Sequence, residues 1–274
     1  MHVSLLIVAL AAIGQVAADT NVPAKDELAK QSAERVLALA RQYEFYSDAS
    51  RGTKLTLEDK PVLTYSNPVR GDVYGDVFVW THEGRPEVVA AIFDYRTNKW
   101  IDSELHMLAG RETVGVRDDR IFWQPEKPGT RFQPIPAAAA PAETAAKRLS
   151  QMRTMAREFS VQRNHPEQGK DALRMLPQPI FRYASPALNI VDGAMFVFVE
   201  GTDPEAYLLI EAAGKEKPAW QFAFARMNVV EFDARYQDQP VWHVDKVDWD
   251  TMFDKQEPYA IVRENPRRGL NRSR

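Results

Sequence analysis

The chain has 274 residues, of which 45% are hydrophobic and 27% charged, so it is long enough for one large domain or two of modest size. The net charge of -3 creates no positive field, and we predict no nucleic-acid partner. Cysteine is absent, which excludes disulfides, thiolate nucleophiles and cysteine-ligated metal centres.

The first residues have the pattern of a cleavable export signal. An apolar run from Val3 to Gly14 is followed by Ala17 and Ala18, small residues that suit a signal peptidase. The run has about a dozen residues, fewer than the roughly 20 that a membrane-spanning helix needs. We therefore predict a signal peptide over 1–18, an extracytoplasmic (periplasmic or secreted) protein, and no transmembrane anchor after cleavage.

Two segments of the chain are similar to each other. Residues 61–94 align with residues 179–212 at a constant offset of 118, and ten of the 34 aligned positions are identical. The shared residues are Pro61/Pro179, Tyr65/Tyr183, Pro68/Pro186, Val73/Val191, Gly75/Gly193, Phe78/Phe196, Val79/Val197, Pro86/Pro204, Glu87/Glu205 and Ile92/Ile210. This self-similarity predicts a tandem duplication.

A helical pattern precedes each of the two similar segments. Apolar residues recur on one face from Asp26 to about Tyr46 in the first copy and from Ala142 to about Val161 in the second. About five strands with short turns follow in each copy, so consecutive strands are expected to pair antiparallel. The predicted fold class is α+β, a tandem duplication of a helix plus an antiparallel meander sheet of about five strands.

Composition sets the predicted boundaries of the two repeats. Residues 124–141 contain five prolines and an alanine run, which is typical of an extended linker. The first repeat then covers 19–123 and the second covers 142–258. Residues 259–274 are rich in arginine and have few apolar side chains, so we predict a frayed basic tail.

Three short segments of the second copy carry a likeness to other proteins. They are residues 173–183 (LRMLPQPIFRY), 192–196 (DGAMF) and 201–205 (GTDPE). Over residues 173–244 the chain resembles a family of secreted planctomycete proteins without assigned activity. The resemblance implies export and an antiparallel α+β module, and it carries no catalytic residue over to this chain.

The sequence lacks the common motifs of cofactor and metal chemistry. It has no G-x-x-x-x-G-K-[ST] or G-x-G-x-x-G loop, so a nucleotide enzyme is not indicated. It also lacks H-E-x-x-H and G-x-S-x-G, so zinc proteases and elbow-type hydrolases are not indicated either. We predict neither a cofactor nor a bound metal.

The first copy has three polar side chains at alternate positions of its fourth strand, Asp102, Glu104 and His106. Asp94 on the preceding strand adds a carboxylate where the second copy has Ala212. If these side chains converge, they form an acid/base pair or a carboxylate–histidine site, and they are our candidate catalytic residues. The alternative is the solvated face of a half-exposed sheet, which needs no function.

The second copy differs at the same strand. If its preceding turn has two extra residues, Trp220 aligns with the start of the strand, and the three polar positions become Phe222, Phe224 and Arg226. These four residues are our candidate binding residues, lining an apolar groove. The alternative is that they belong to the protein core.

Two functions are compatible with these patterns. The favoured one is an exported, non-enzymatic binding or scaffolding protein for a protein, envelope or hydrophobic ligand, because no catalytic constellation is common to both copies. The alternative is an extracytoplasmic hydrolase that uses Asp94, Glu104 and His106 as acid, base or metal ligands.

Overall fold

The computed structural model describes residues 25–67, 71–96, 100–165 and 169–264. The predicted signal peptide, 1–18, and the end of the predicted tail, 265–274, lie outside the described residues. Within the described part of the chain, no helix combines the length and the apolar character that crossing a bilayer requires.

The part of the chain up to residue 123, here called the first half, starts with a helix and continues in strands. Its elements are α1 (Lys25–Ala40), β1 (Glu44–Tyr46), β2 (Thr56–Leu57), β3 (Leu63–Ser66), β4 (Val73–His82), β5 (Arg85–Tyr95), β6 (Trp100–Met107), β7 (Val114–Arg117) and β8 (Arg120–Trp123). Strand β9 (Gln133–Pro134) follows the first half, in the predicted linker.

Residues 142–258, here called the second half, also start with a helix. Its elements are α2 (Ala145–Ala156), β10 (Phe159–His165), β11 (Gly169–Ala172), β12 (Arg174–Met175), β13 (Phe181–Ser185), β14 (Ile190–Glu200), β15 (Asp203–Ala213), β16 (Ala219–Arg226), β17 (Glu231–Tyr236) and β18 (Gln239–Val244). Strand β19 (Tyr259–Glu264) follows the second half.

The predicted α+β class is wrong, because the fold is mainly β-sheet. Of the described residues, 50% lie in strands and 13% in helices, and the strands form four antiparallel sheets. Both predicted helices exist, but they end at Ala40 and Ala156, before the predicted ends near residues 46 and 161. The residues that follow alternate between buried and less buried side chains and pair as strands β1 and β10. Each half therefore contributes to two sheets, where a single meander was predicted.

Two large sheets and two small sheets make up the fold. Sheet I has the order β19-β6-β5-β4-β2 with β3 also on β4, and sheet II has the order β12-β14-β15-β16-β9 with β13 also on β14. The small ones are sheet III (β1-β7-β8) and sheet IV (β11-β10-β17-β18). The pairing order β3-β4-β5-β6 in the first half recurs as β13-β14-β15-β16 in the second.

One edge strand of each large sheet comes from outside the half that forms the rest of that sheet. Strand β9, in the predicted linker, pairs with β16, and β19 pairs with β6. Residues 259–264 were predicted to belong to a frayed tail, but Tyr259, Ala260 and Ile261 are buried in sheet I. This short apolar run becomes a strand because the edge of β6 offers both hydrogen-bond partners and a core.

Both faces of each large sheet are buried. One core lies between sheets I and II and includes Val77, Val79, Met195 and Val197. The residues next to these in the chain, such as Phe78 and Phe196, point away from it into two outer cores. Those outer cores are closed by α1 with sheet III and by α2 with sheet IV. Burial on both faces explains the continuous apolar runs of the long strands.

A tyrosine ring lies over a glycine in both halves. Tyr65 is directly opposite Gly75 across β3 and β4, and Tyr183 is directly opposite Gly193 across β13 and β14. A Cβ atom placed on Gly75 would lie 2.5 Å from the Tyr65 ring, so only glycine leaves room for it. Packing therefore accounts for two of the ten positions that the aligned segments share.

We expect Gly75→Ala to lower the free energy of unfolding by about 1–3 kcal/mol, because the added methyl group must displace the buried Tyr65 ring. Gly110→Ala is the matched control, since a Cβ there has no neighbour within 4 Å. Urea unfolding of both variants, followed by tryptophan fluorescence, measures the difference. Equal stabilities of the two variants would contradict this account.

Candidate functional site

Asp94 and Glu104, two of the candidate catalytic residues, lie on opposite faces of sheet I. Asp94 is opposite Ile101 in the pairing of β5 with β6, whereas Glu104 is opposite Ala91. Ile101 belongs to the outer core beneath α1, and Ala91 belongs to the core between the two large sheets. Because the sheet separates these faces, the four candidate residues do not converge.

Asp94 connects strand β5 to helix α1. Its carboxylate is buried, and Oδ2 accepts hydrogen bonds from Ser32 Oγ at 2.9 Å and from Arg35 Nη1 at 2.7 Å. Arg96 Nη1 lies 3.4 Å from the same oxygen. A buried carboxylate needs such partners to offset its desolvation, so these contacts give Asp94 a structural role.

Asp102 holds strand β19 against strand β6. Its two carboxylate oxygens accept hydrogen bonds from Arg263 Nε and Nη2, both at 2.7 Å. The Arg263 guanidinium also lies 4.3 Å from the ring centroid of Trp100. The paired hydrogen bonds and the ring contact fix the end of the described chain on the sheet.

Glu104 and His106 face the core between the large sheets. Glu104 borders a cavity of about 10 Å³ together with Tyr65 and Asp203, which is too small for a substrate. His106 is buried, with Nδ1 2.9 Å from the carbonyl oxygen of Met107, and burial lowers its pKa to about 4. An imidazole enclosed in this way is unsuited to proton exchange with a bound substrate.

Three of the candidate binding residues of the second half are core residues. Trp220, Phe222 and Phe224 are only 3%, 2% and 3% exposed. The ring of Phe159 fills the space beside them, with centroid distances of 4.9 Å to Phe222 and 5.6 Å to Phe224. They form no accessible groove, so the hypothesis of a binding surface at these residues is wrong.

Arg226, the fourth candidate binding residue, is also buried. Its guanidinium donates hydrogen bonds to the carbonyl oxygens of Asn228 at 2.8 Å, of Asp245 at 2.7 Å and of Val230. Burial lowers the pKa of this guanidinium. Arg226 therefore stabilises the connection between β16 and β17 and is not available to a ligand.

The predicted alignment of the fourth strands is wrong by one residue. Tyr95 pairs with Trp100 in the first half, and Ala213 pairs with Ala219 in the second, so the turn has one extra residue where two were predicted. A shift of one residue moves every side chain to the other face of the strand. In the correct register, Ile101, Ser103 and Leu105 correspond to Trp220, Phe222 and Phe224.

A groove lies on the first half, beside the start of β6. In the second half, the large aromatic side chains fill the space under sheet IV. In the first half, Ile101 lines a groove of about 1040 Å³ among α1, β6, β8 and β19, whereas Ser103 and Leu105 are fully buried outside its lining. It is lined by Arg35, Ala38, Leu39, Gln42, Ile101, Arg117, Asp118, Phe122, Trp123, Phe253, Lys255, Ala260, Ile261, Val262, Arg263 and Glu264.

The floor and walls of the groove are apolar. Ile101 on β6 and Ala260 and Val262 on β19 provide the floor, since all three face the outer core beneath α1. Ala38 on α1 and Phe122 on β8 provide the walls. These side chains offer a surface on which a hydrocarbon chain can be removed from water.

Four cationic side chains lie at the rim of the groove. They are Arg35, Arg117, Lys255 and Arg263, and the lining also has two carboxylates, Asp118 and Glu264. Three of the cations are paired, Arg35 with Asp94, Arg263 with Asp102 and Arg117 with Glu264. Lys255 and the N–H groups of Arg117 that Glu264 does not use are the donors that an anionic group would meet.

The arginine side chains of the rim are held in position by carboxylates. Arg117 Nη1 is 2.5 Å from Glu264 Oε1, and the guanidinium lies 5.6 Å from the ring centroid of Tyr43. Burial raises the pKa of Tyr43 to about 12, so this ring is neutral. A guanidinium has five N–H donors, and an ion pair with one carboxylate leaves donors for a ligand.

None of the residues that line the groove was a candidate in the sequence, because they come from α1, β6, β8 and β19 and only the tertiary structure brings them together. The sequence matches no known protein-family model, and neither a curated protein nor a solved structure is significantly similar to the chain.

We expect the free energy of unfolding to fall as the pH is lowered from about 6.5 to 4. Folded His106 stays neutral down to about pH 4, whereas a histidine in the unfolded chain binds a proton near pH 6.5, so the unfolded state binds more protons in this range. In His106→Gln, the loss between pH 7 and pH 4.5 should be smaller by about 2–3 kcal/mol.

Urea unfolding at the two pH values measures this difference. His82→Gln is the control, because it removes a histidine whose side chain is only partly buried. An identical loss of stability in wild type and His106→Gln would refute the role assigned to His106.

Proposed function

We propose that the protein is an exported, non-enzymatic binding protein whose groove takes an amphiphile with an anionic head group. The observation that carries the proposal is one groove of about 1040 Å³ with an apolar floor and a cationic rim. The apolar amino-terminal run before Ala17 and Ala18, and the resemblance to secreted planctomycete proteins, support export.

An amphiphile matches both parts of the groove. Its hydrocarbon chain would lie on Ile101, Ala260 and Val262, where each buried methylene contributes about 0.8 kcal/mol. Its carboxylate or phosphate would accept hydrogen bonds from the remaining N–H groups of Arg117 and from Lys255. A neutral apolar molecule would use the floor and leave the rim without a partner.

The chemistry of the lining favours binding over hydrolysis. The lining residues that the structure describes include no histidine, serine, threonine or tyrosine, so a nucleophile paired with a base is not assembled there. Of the two carboxylates, Glu264 is held by Arg117, and Asp118 lies in a tight turn with a φ of 49°.

The tandem duplication inferred from the sequence adds support to the proposal. If both halves descend from one module, they differ at the start of this strand, where Ile101, which lines the groove, corresponds to the larger and buried Trp220. One copy would then serve mainly as scaffold, and the other would present the groove.

We expect a long-chain fatty acid to bind the groove more tightly than the matching long-chain alcohol, both below their micellar concentrations. The difference should be several-fold, because a partly exposed ion pair contributes up to about 1 kcal/mol. Ala38→Trp should weaken binding of both by at least about tenfold, since the indole would occupy the groove. Lys255→Glu should remove the preference for the acid. Isothermal titration calorimetry measures the six affinities, for both amphiphiles in wild type and in each of the two variants.

Two matched variants serve as controls for these substitutions. Ala146→Trp places the same indole on an exposed position of α2, and Lys215→Glu reverses a charge outside the groove. Both should bind as wild type does. The proposal fails if neither amphiphile binds, or if Ala38→Trp and Ala146→Trp bind equally well. Preferential binding of an acidic peptide would show that the occupant is a protein.

Export is tested separately from ligand binding. Residues 1–24, fused to a reporter enzyme that is active only outside the cytoplasm, should direct it there. Replacement of Leu6 and Val8 by aspartate should abolish this, because the apolar run of the signal is interrupted. Activity of the reporter that is independent of these substitutions would contradict the signal-peptide prediction.

A further inference from the structure

Sheet IV carries a cluster of metal-ligating side chains that is separate from the groove. Glu231 and Asp233 are two residues apart on β17, so they point to the same face of the sheet. His243 on β18 is directly opposite Asp233. One ligand atom from each of the three residues lies within 4.8 Å of the other two.

The two ring nitrogens of His243 have different environments. Nδ1 lies 2.8 Å from Asp233 Oδ1, on the side of the cluster, and Nε2 lies 3.2 Å from Asp245 Oδ1. A histidine that ligates a metal through one nitrogen usually donates its other N–H group to a carboxylate, which fixes the ring. Asp245 is placed to accept that hydrogen bond while Nδ1 faces Asp233.

The carboxylates of the cluster are oriented by Asn164 on β10. Its side-chain amide donates a hydrogen bond to Asp233 Oδ2 at 3.1 Å and another to Glu231 Oε1. Asn164 is paired directly with Glu231 in the sheet, so it supports the two ligands from the neighbouring strand. Ligand carboxylates in metal sites are commonly held by such outer hydrogen bonds.

The local charge also favours a cation. Glu231, Asp233 and Asp245 surround one imidazole within a short stretch of two strands. Lys170 on β11, which is directly opposite Asn164, is a cationic side chain near enough to act electrostatically on Asp233. A divalent ion between the carboxylates would offset their mutual repulsion more effectively than one lysine does.

We propose that Glu231, Asp233 and His243 bind a divalent first-row transition-metal ion, with Zn²⁺ as the probe. An imidazole nitrogen favours such ions over Ca²⁺ and Mg²⁺, which take oxygen ligands. Three protein ligands and water in the remaining position form a common tetrahedral zinc arrangement. The site lies on sheet IV, outside the lining of the groove, so it is independent of the proposed amphiphile.

The test is a zinc titration of the chain, purified without a polyhistidine tag, by isothermal titration calorimetry. Wild type should bind one Zn²⁺ per chain and bind Ca²⁺ and Mg²⁺ at least tenfold more weakly. His243→Ala and Glu231→Gln should each lose at least about tenfold in zinc affinity, and Asp245→Asn roughly 10–100-fold. His82→Ala should retain the wild-type affinity, since it removes a histidine outside the cluster.

A thermal unfolding experiment gives a second readout. Zinc should raise the Tm of wild type and of His82→Ala but leave that of His243→Ala unchanged. The His243 side chain is 51% exposed, so its removal leaves the core intact. Unchanged zinc affinity in His243→Ala, or the same loss in His82→Ala, would overturn the proposal, and so would equal affinities for Zn²⁺ and Ca²⁺.

Discussion

Burial of both faces of the two large sheets is the constraint on which the rest of the structure depends. Sheets I and II share one core, and each is completed by a strand that follows the other half. A polar contact also crosses between them, because Arg85 Nε on β5 donates to Glu211 Oε1 on β15 at 2.9 Å. The two halves therefore stabilise each other, and the predicted linker does not separate two independent cores.

The same constraint decides which polar side chains can act on a ligand. A sheet buried on both sides keeps Asp94 with α1 and Glu104 with the central core, although few residues separate them in sequence. Charged side chains in such places are satisfied by fixed partners, as Asp102 is by Arg263. The side chains that a ligand can reach lie in the outer layers, in the groove beside α1 and in the cluster on sheet IV.

Hydrophobic periodicity and turn-forming residues predicted the local elements well where the pattern within a segment was strong. The presence of both helices, the long strands of the two similar segments and the turns between those strands follow from the sequence, although α2 begins at Ala145, three residues after its predicted start. The strand β19 did not, because four apolar residues in an arginine-rich stretch gain their burial only from the neighbouring edge of β6. The predicted alignment of β6 with β16 was also wrong, because the turn before β16 is one residue longer than the turn before β6, whereas a difference of two was predicted.

The sequence by itself determined the absence of cysteine chemistry, the apolar amino-terminal run, the similarity of residues 61–94 to residues 179–212, and the apolar runs of the long strands. Only the tertiary structure decided which face of each strand meets which layer. The physical reason is that strand side chains alternate, so one residue of register exchanges core for surface. The side chains that line the groove and the ligands on sheet IV come from distant parts of the chain, and their proximity depends on sheet pairing.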